Sequence, residues 1–292
     1  MDVAKGSLRI GTCSWNIDSW VGLVYAEKSP TAAGYLAEYA RRFRTVEIDS
    51  WFYRLPDASD VLSYLAQVDR GFSFTAKVTR DISLTHERRP GPGDPVPNPG
   101  FLSRELFGRY VERIAPMAPQ LDAVMLEFEY LNRDKMPGVD AYMRRLDDFL
   151  PAVPEGLPVA IETRNKNYLT REYFQFLRDR NVIHVFSEKL YLPHVYEVYE
   201  EFGDLLTGRS VIRLLGGDRA VIERTTGLAW NRIVDGKRDK PLIVNMIKDM
   251  LFRGSRVILN VNNHYEGSAP ITARYFEEAL AGAAGSIGSA GQ

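Results

Sequence analysis

The chain has 292 residues, of which 45% are hydrophobic and 26% are charged, and its formal net charge is −1. This length allows one large buried core or two smaller ones. The near-zero net charge argues against binding to nucleic acid through a general basic field, because such binding depends on an excess of clustered Lys and Arg. Cys13 is the single cysteine, so the chain can form no internal disulfide and has no paired-cysteine zinc motif.

The sequence shows no signal for membrane insertion. The N-terminal stretch MDVAKGSLRIG lacks the apolar region of a secretory signal, and no run reaches the roughly 20 apolar residues that span a bilayer. We therefore expect a cytoplasmic protein without a membrane partner.

Apolar strand-like runs alternate with amphipathic helical patterns along the chain. Strands are predicted at residues 8–14, 45–49, 72–78, 123–129, 157–164, 182–187, 210–215 and 257–262. Helices are predicted at residues 32–43, 59–68, 101–115, 139–150, 171–180, 195–206, 241–253 and 269–281. Strands separated by helices pair in parallel, so this order predicts an α/β fold, a single (β/α)8 TIM barrel. We expect one barrel domain over residues 1–281 and a disordered tail over 282–292.

Alternation along the strands predicts which side chains point into the barrel, because the positions that face the helices are apolar. The inward polar groups are Glu47, Asp49, Lys77, Glu127, Glu129, Glu162, Arg164, Arg213, Asn260, Asn262 and His264. They gather towards the C-terminal strand ends, where enzymes of this fold build their active sites. A competing interpretation is an internal ion-pair network that serves stability alone. Since hydrophobic replacements of buried ion pairs are often neutral or stabilising, we favour a functional site.

Five segments also carry a family resemblance. They are IGTCSW at 10–15, TVEIDSWFYRLP at 45–56, EFEYLN at 127–132, IETRNKNYL at 161–169 and VILNVNNHYEGSAP at 257–270. In this order they make the chain resemble the YecE-like family, domain of unknown function seventy-two. The resemblance implies a TIM-barrel fold and a distant kinship to sugar isomerases, without naming a substrate.

The predicted chemistry depends on carboxylates in unlike electrostatic surroundings. Glu47 and Asp49 share a face one strand away from Lys77, whereas Glu162 shares a face with Arg164. Such differences split pKa values and give an acid and a base at one pH. We therefore expect Glu47 to act as general base, Glu162 as partner acid or metal ligand, and Lys77 to stabilise developing negative charge. Asp49 is a further catalytic candidate.

Other side chains are candidates for substrate binding. Arg213, Gly216 and Asn262 are predicted to hold a phosphate, sulfate or carboxylate, because phosphate sites on this fold often use the loops after strands seven and eight. His264 is expected to orient the substrate together with Asn262, and Arg164 is a further substrate-binding candidate. The aromatic candidates for stacking on a sugar face are Trp15 and Tyr53, whereas Trp20 and Trp51 fit simple packing equally well.

No nucleotide-cofactor motif is present, and the sequence does not identify a cofactor. One divalent cation, Mg²⁺ or Mn²⁺, is compatible with the carboxylates Glu47, Glu127 and Glu162. A histidine-rich multinuclear metal centre is not expected. His184 lies in the middle of a strand and is predicted to be a core residue with satisfied nitrogens, and His194 is predicted to begin a helix.

Three functions are compatible with these patterns. The favoured one is an enzyme that performs acid–base chemistry, of isomerase or hydrolase type, on a small polyhydroxy or phosphorylated substrate. The second is a nucleic-acid-processing enzyme that uses THERR at 85–89 and the proline-rich loop at 89–100 to hold a backbone. The third is a non-catalytic binding or scaffold protein that retains the barrel.

Overall fold

A computed structural model describes residues 6–87 and 96–281. The strands are β1 (Ser7–Thr12), β2 (Thr45–Ile48), β3 (Ser73–Lys77), β4 (Leu121–Glu127), β5 (Val159–Glu162), β6 (Ile183–Lys189), β7 (Arg209–Gly216) and β8 (Arg256–Val261). Each strand pairs in parallel with the next, and β8 pairs with β1 to close the barrel. This arrangement confirms the predicted α/β fold, a single (β/α)8 barrel.

Helices surround the sheet. They are α1 (Ala32–Arg42), α2 (Ala58–Leu65), α3 (Arg80–Ser83), α4 (Arg104–Ile114), α5 (Val139–Phe149), α6 (Arg171–Asp179), α7 (Val195–Phe202), α8 (Arg219–Thr226), α9 (Lys240–Phe252), α10 (Asn263–Glu266) and α11 (Ala269–Leu280). Thr31, Ser103 and Thr170 begin α1, α4 and α6, because each hydroxyl accepts a first-turn N–H. The sequence did not predict α3, α8 or α10.

The buried apolar residues form two clusters. The larger lies between the sheet and the helices. The smaller consists of inward side chains of the strands, namely Ala123, Met125, Ala160, Ile183, Val185, Val211 and Ile258. On each strand these residues precede the inward polar residue, so they fill the N-terminal part of the barrel. The polar groups therefore lie above an apolar plug, at the C-terminal end.

The end of β8 differs from the prediction. The strand stops at Val261, and the short helix α10 begins at Asn263. The Asn262 side chain accepts a hydrogen bond from the backbone N–H of His264 at 2.9 Å and so caps this helix. Asn262 and His264 consequently leave the strand alternation, and the expectation that they extend the inward face of β8 is wrong.

Two of the segments discussed from the sequence lie outside the residues that the structure describes. Arg88, Arg89 and most of the proline-rich loop fall in residues 88–95, and the predicted disordered tail is residues 282–292; both lie outside the described residues. Within residues 6–87 and 96–281, no helix combines the length and the apolar character needed to cross a membrane.

Candidate functional site

Arg213 is the centre of a buried charge network at the C-terminal end of the barrel. Its Nε and Nη2 donate to the two carboxylate oxygens of Glu47 at 2.8 and 2.6 Å. Its Nη1 donates to Glu127 at 3.0 Å and also to Glu162. Arg213 is only 2% exposed, and Glu47 and Glu162 are fully buried. One guanidinium thus links inward carboxylates from β2, β4 and β5.

Two further cationic side chains contact the carboxylates of this network. The Lys77 Nζ lies 2.7 Å from Glu127 and 4.0 Å from Glu47, and it also contacts Asp49. The Arg164 Nη2 lies 3.0 Å from Glu127 and 2.8 Å from Glu162. The predicted group Glu47, Asp49, Lys77, Glu127, Glu162, Arg164 and Arg213 is therefore brought together in one place. Glu129 is not a member, because it pairs with Lys135 and Thr85.

The two glutamates that share Lys77 and Arg213 have opposite pKa shifts. Burial raises the pKa of Glu47, and the nearby charges of Arg213 and Lys77 offset this only in part. Burial also acts on Glu127, but the positive charges of Lys77, Arg164 and Arg213 outweigh it and hold the Glu127 pKa well below its usual range. The site therefore contains unlike carboxylates that share their cations.

Exposure divides the network into an inner and an outer layer. The side chains of Glu47 and Glu162 are fully buried, whereas those of Arg164, Glu127 and Asp49 are 14%, 17% and 38% exposed. A ligand entering from solvent would meet the outer layer first. A divalent cation on Glu47, Glu127 or Glu162 would have to replace the ammonium or guanidinium groups that these carboxylates now contact.

Sequence reasoning missed the contribution of β6. The Ser187 hydroxyl donates to Glu162 at 2.7 Å. Two residues later, the half-buried Lys189 lies close enough to Arg164 and Glu127 to be affected by their charges. Burial and, to a smaller extent, the nearby positive charge of Arg164 lower the Lys189 pKa. The predicted strand stopped at Ser187, although the alternation through Val185, Ser187 and Lys189 was a usable signal for both residues.

The anion-binding candidates are not assembled as one cradle. Arg213 directs its donors to carboxylates, and Asn262 caps α10. The His264 ring contacts Asn262 at 2.6 Å and Glu223 at 3.1 Å, outside the central network. Gly216 has a φ of +83°, and a Cβ there would lie 2.2 Å from the backbone oxygen of His264. Gly216 thus permits β7 and α10 to approach each other.

The aromatic candidates for stacking differ in their exposure to solvent. Trp15 is 4% exposed, and its indole N–H donates to the Ala32 carbonyl at 2.7 Å, so it packs against the helical layer. Trp20 and Trp51 are also buried. Tyr53 is 58% exposed, next to Phe52, whose ring lies 5.2 Å from the Lys77 Nζ. Of the two stacking candidates, Tyr53 is the accessible one.

The fold and this polar mouth define a (β/α)8 barrel with a charged C-terminal site. The family described as protein of unknown function DUF72 matches residues 9–290, and the chain belongs to this family. A DUF72 structure from Enterococcus faecalis V583 has a TM-score of 0.69 at 19% identity, over 94% of this chain and 95% of that one. One from Thermotoga maritima MSB8 has 0.66 at 18%, over 94% and 99%. No curated protein matches significantly.

Proposed function

We propose that the chain is an enzyme that performs acid–base chemistry, of isomerase or hydrolase type, on a small polyhydroxy substrate with or without one phosphate. The observation that carries this proposal is the pair Glu47 and Glu127. Their pKa values are shifted in opposite directions although they share Lys77 and Arg213. The raised pKa makes the Glu47 carboxylate a stronger proton acceptor, and the lowered pKa keeps Glu127 ionised beside it.

The charge balance of the mouth supports the substrate class. The carboxylates Glu47, Asp49, Glu127 and Glu162 stand against the cations Lys77, Arg164, Lys189 and Arg213. A site that combines cationic donors with anionic acceptors suits the hydroxyl groups of a neutral or singly charged ligand better than it suits a polyanion. The exposed ring of Tyr53 adds a surface on which a sugar face can stack.

In this proposal Glu47 is the general base, Glu162 the partner acid, and Lys77 the group that stabilises developing negative charge. Glu127, Asp49 and Arg164 contact the substrate, because they form the exposed layer. Glu47 is fully buried, with both carboxylate oxygens on Arg213. Substrate binding must therefore open part of the ion-pair network before Glu47 can accept a proton.

The test is a search for turnover with sugars, sugar phosphates and phosphodiesters, with and without Mn²⁺. Once a substrate is found, Glu47→Gln and Glu162→Gln are compared with the parent. Loss of a general base or acid is expected to cost about 10²- to 10⁴-fold in rate while the folded structure is kept. Glu129→Gln is the matched control, because Glu129 pairs with Lys135 outside the network.

Three results would count against the proposal. Full activity in both glutamine variants would place the chemistry elsewhere. Reduced thermal stability with unchanged specific activity would mean that the network is structural. An absence of turnover across the whole panel would argue against this substrate class and favour a binding protein.

A further inference from the structure

A second cluster of ionisable side chains lies on the rim of the barrel, apart from the central network. It consists of Glu188 near the end of β6, His194 immediately before α7, and Asp239 immediately before α9. One potential ligand atom from each residue lies within 4.8 Å of those of the other two. All three residues stand at or next to an end of a strand or helix, so the fold itself holds their positions.

The distances within this cluster suit a bound cation. The His194 Nδ1 lies 2.8 Å from Glu188 Oε1 and 3.5 Å from Asp239 Oδ2. Metal–ligand bonds of about 2.0–2.2 Å require neighbouring ligand atoms to be roughly 3–3.5 Å apart. The His194–Asp239 distance already falls in this range, and the His194–Glu188 distance needs only a small opening.

Asp239 directs its carboxylate into the cluster and not to the helix that it precedes. It occupies the residue before α9, where an Asp side chain commonly accepts a helix N–H, but it makes no such capping bond. Its carboxylate is instead directed at His194. The helical backbone of Asp239 (φ −89°, ψ −1°) and the missing N–H of Pro241 account for the absent cap, which leaves the Asp239 carboxylate able to contact His194.

Glu188 is held by a contact of the kind that orients metal ligands. Its Oε2 accepts the backbone N–H of Val195 at 3.0 Å, which leaves Oε1 as the atom that faces His194. The His194 backbone N–H donates to Glu197 at 3.0 Å, and the imidazole stacks on Tyr196. Supporting contacts of this type fix ligand orientation in metal sites.

The cluster borders a cavity of about 320 Å³. The residues that line it also include Lys189, Gly216, Gly217 and Lys237. An ion held by three protein ligands keeps open coordination positions, and here they would face a space large enough for a small ligand. Lys189, and Lys237 beside its partner Asp235, suit an anionic group on that ligand, such as a carboxylate or a phosphate.

We propose that Glu188, His194 and Asp239 form a binding site for one divalent transition-metal ion, with open coordination positions facing this cavity. One imidazole and two carboxylates suit Zn²⁺, Co²⁺ or Mn²⁺, whereas Mg²⁺ prefers oxygen ligands alone. The site is distinct from Glu47, Glu127 and Glu162, and it does not depend on the acid–base function proposed for the central network.

The test uses the full-length protein after dialysis against a chelator. Calorimetric titration with Zn²⁺ should give one equivalent, and Co²⁺ should produce a visible absorption spectrum. His194→Asn and Asp239→Asn should each weaken Zn²⁺ binding by at least about tenfold, since loss of a mere supporting group already costs about 10- to 100-fold. Asn is a preferred residue before a helix, so both variants should fold.

Two matched variants separate this site from the alternatives. His264→Ala removes another rim histidine that pairs with one carboxylate, and Glu127→Gln changes the central network. Both should bind Zn²⁺ as the parent does. The proposal is wrong if the parent binds no Zn²⁺, if His194→Asn and Asp239→Asn bind it as tightly as the parent, or if only Glu127→Gln loses it.

Discussion

His184 lies on the helix-facing side of β6 and is buried among aromatic rings. Its ring centroid is 4.6 Å from that of Phe174 and 4.7 Å from that of Phe186. The expected core position is confirmed. The expected hydrogen bonding of both ring nitrogens is not, because Nδ1 has no hydrogen-bond partner in the described parts of the chain. Burial lowers the His184 pKa to about 3. The folded protein therefore keeps this imidazole neutral.

This buried histidine predicts a pH-dependent loss of stability. Its pKa is lower in the folded state than in the unfolded chain, so the unfolded state binds more protons between pH 6.5 and about 3. The free energy of unfolding should fall as the pH decreases through this range, by about 1.4 kcal/mol per pH unit from this group. His184→Phe should reduce that slope, as measured by urea unfolding at several pH values.

An equal slope in His184→Phe and the parent would show that other groups govern the acid sensitivity. His86→Phe is the control, because it removes a partly exposed histidine on the loop after β3 and leaves His184 in place. Sequence could locate His184 in the core through the apolar residues around it. It could not show that the ring of Phe174 packs against His184, since Phe174 belongs to α6.

At the scale of elements, the contact between β7 and α10 depends on Gly216. A Cβ at Gly216 would lie 2.2 Å from the His264 backbone oxygen and 2.7 Å from the Tyr265 Cα, and the φ of +83° is unfavourable for other residues. Gly216→Ala should therefore lower the free energy of unfolding by about 2 kcal/mol or more, from strain and the forced separation of the two elements. Urea unfolding measures the loss.

Gly217→Ala is the matched control, because a Cβ at Gly217 would meet nothing within 4 Å. Its effect should be within about 0.5 kcal/mol of zero. Equal losses in the two variants would contradict the role assigned to Gly216. The predicted anion site at Arg213, Gly216 and Asn262 stays a prediction.

Strand periodicity predicted the central site where the strands continue, and failed where they end. Glu47, Lys77, Glu162 and Arg213 lie on regular strands, so alternation placed them on the inward face correctly. At β8 a local hydrogen bond from the His264 N–H to Asn262 starts a helix instead. Such competition between side chain and strand is not visible in apolar periodicity.

The rim cluster escaped sequence reasoning for a different reason. Glu188, His194 and Asp239 belong to three elements, and the last is 45 residues beyond the second in the chain. No fixed spacing of the kind that marks compact metal motifs connects them. The pairing of β6 with β7 brings the start of α9 beside the start of α7.

At the scale of the whole molecule, α11 completes the layer of helices around the closed sheet. It packs on β1 and β8, the strands at which the barrel closes, and Phe276 is fully buried in this contact. Phe276→Ala should lower the free energy of unfolding by about 3–5 kcal/mol. The loss should appear as one shifted transition, because the major core is continuous around the sheet.

Phe252→Ala is the same substitution at the end of α9, where Phe252 is 79% exposed. It should change the free energy of unfolding by less than about 0.5 kcal/mol. A separate early transition in Phe276→Ala, seen by comparing fluorescence with circular dichroism, would mean that the closing elements unfold independently of the rest.

The cancellation of charge at the central mouth has a consequence for how a ligand arrives. Opposite charges a few ångströms apart produce a field that decays within a short distance, and salt screens what is left. Long-range attraction of the kind that accelerates charged partners is thus weak here. Molecules of either sign reach the mouth by diffusion alone, and discrimination begins at contact, where a ligand must offer hydrogen bonds good enough to separate an existing ion pair.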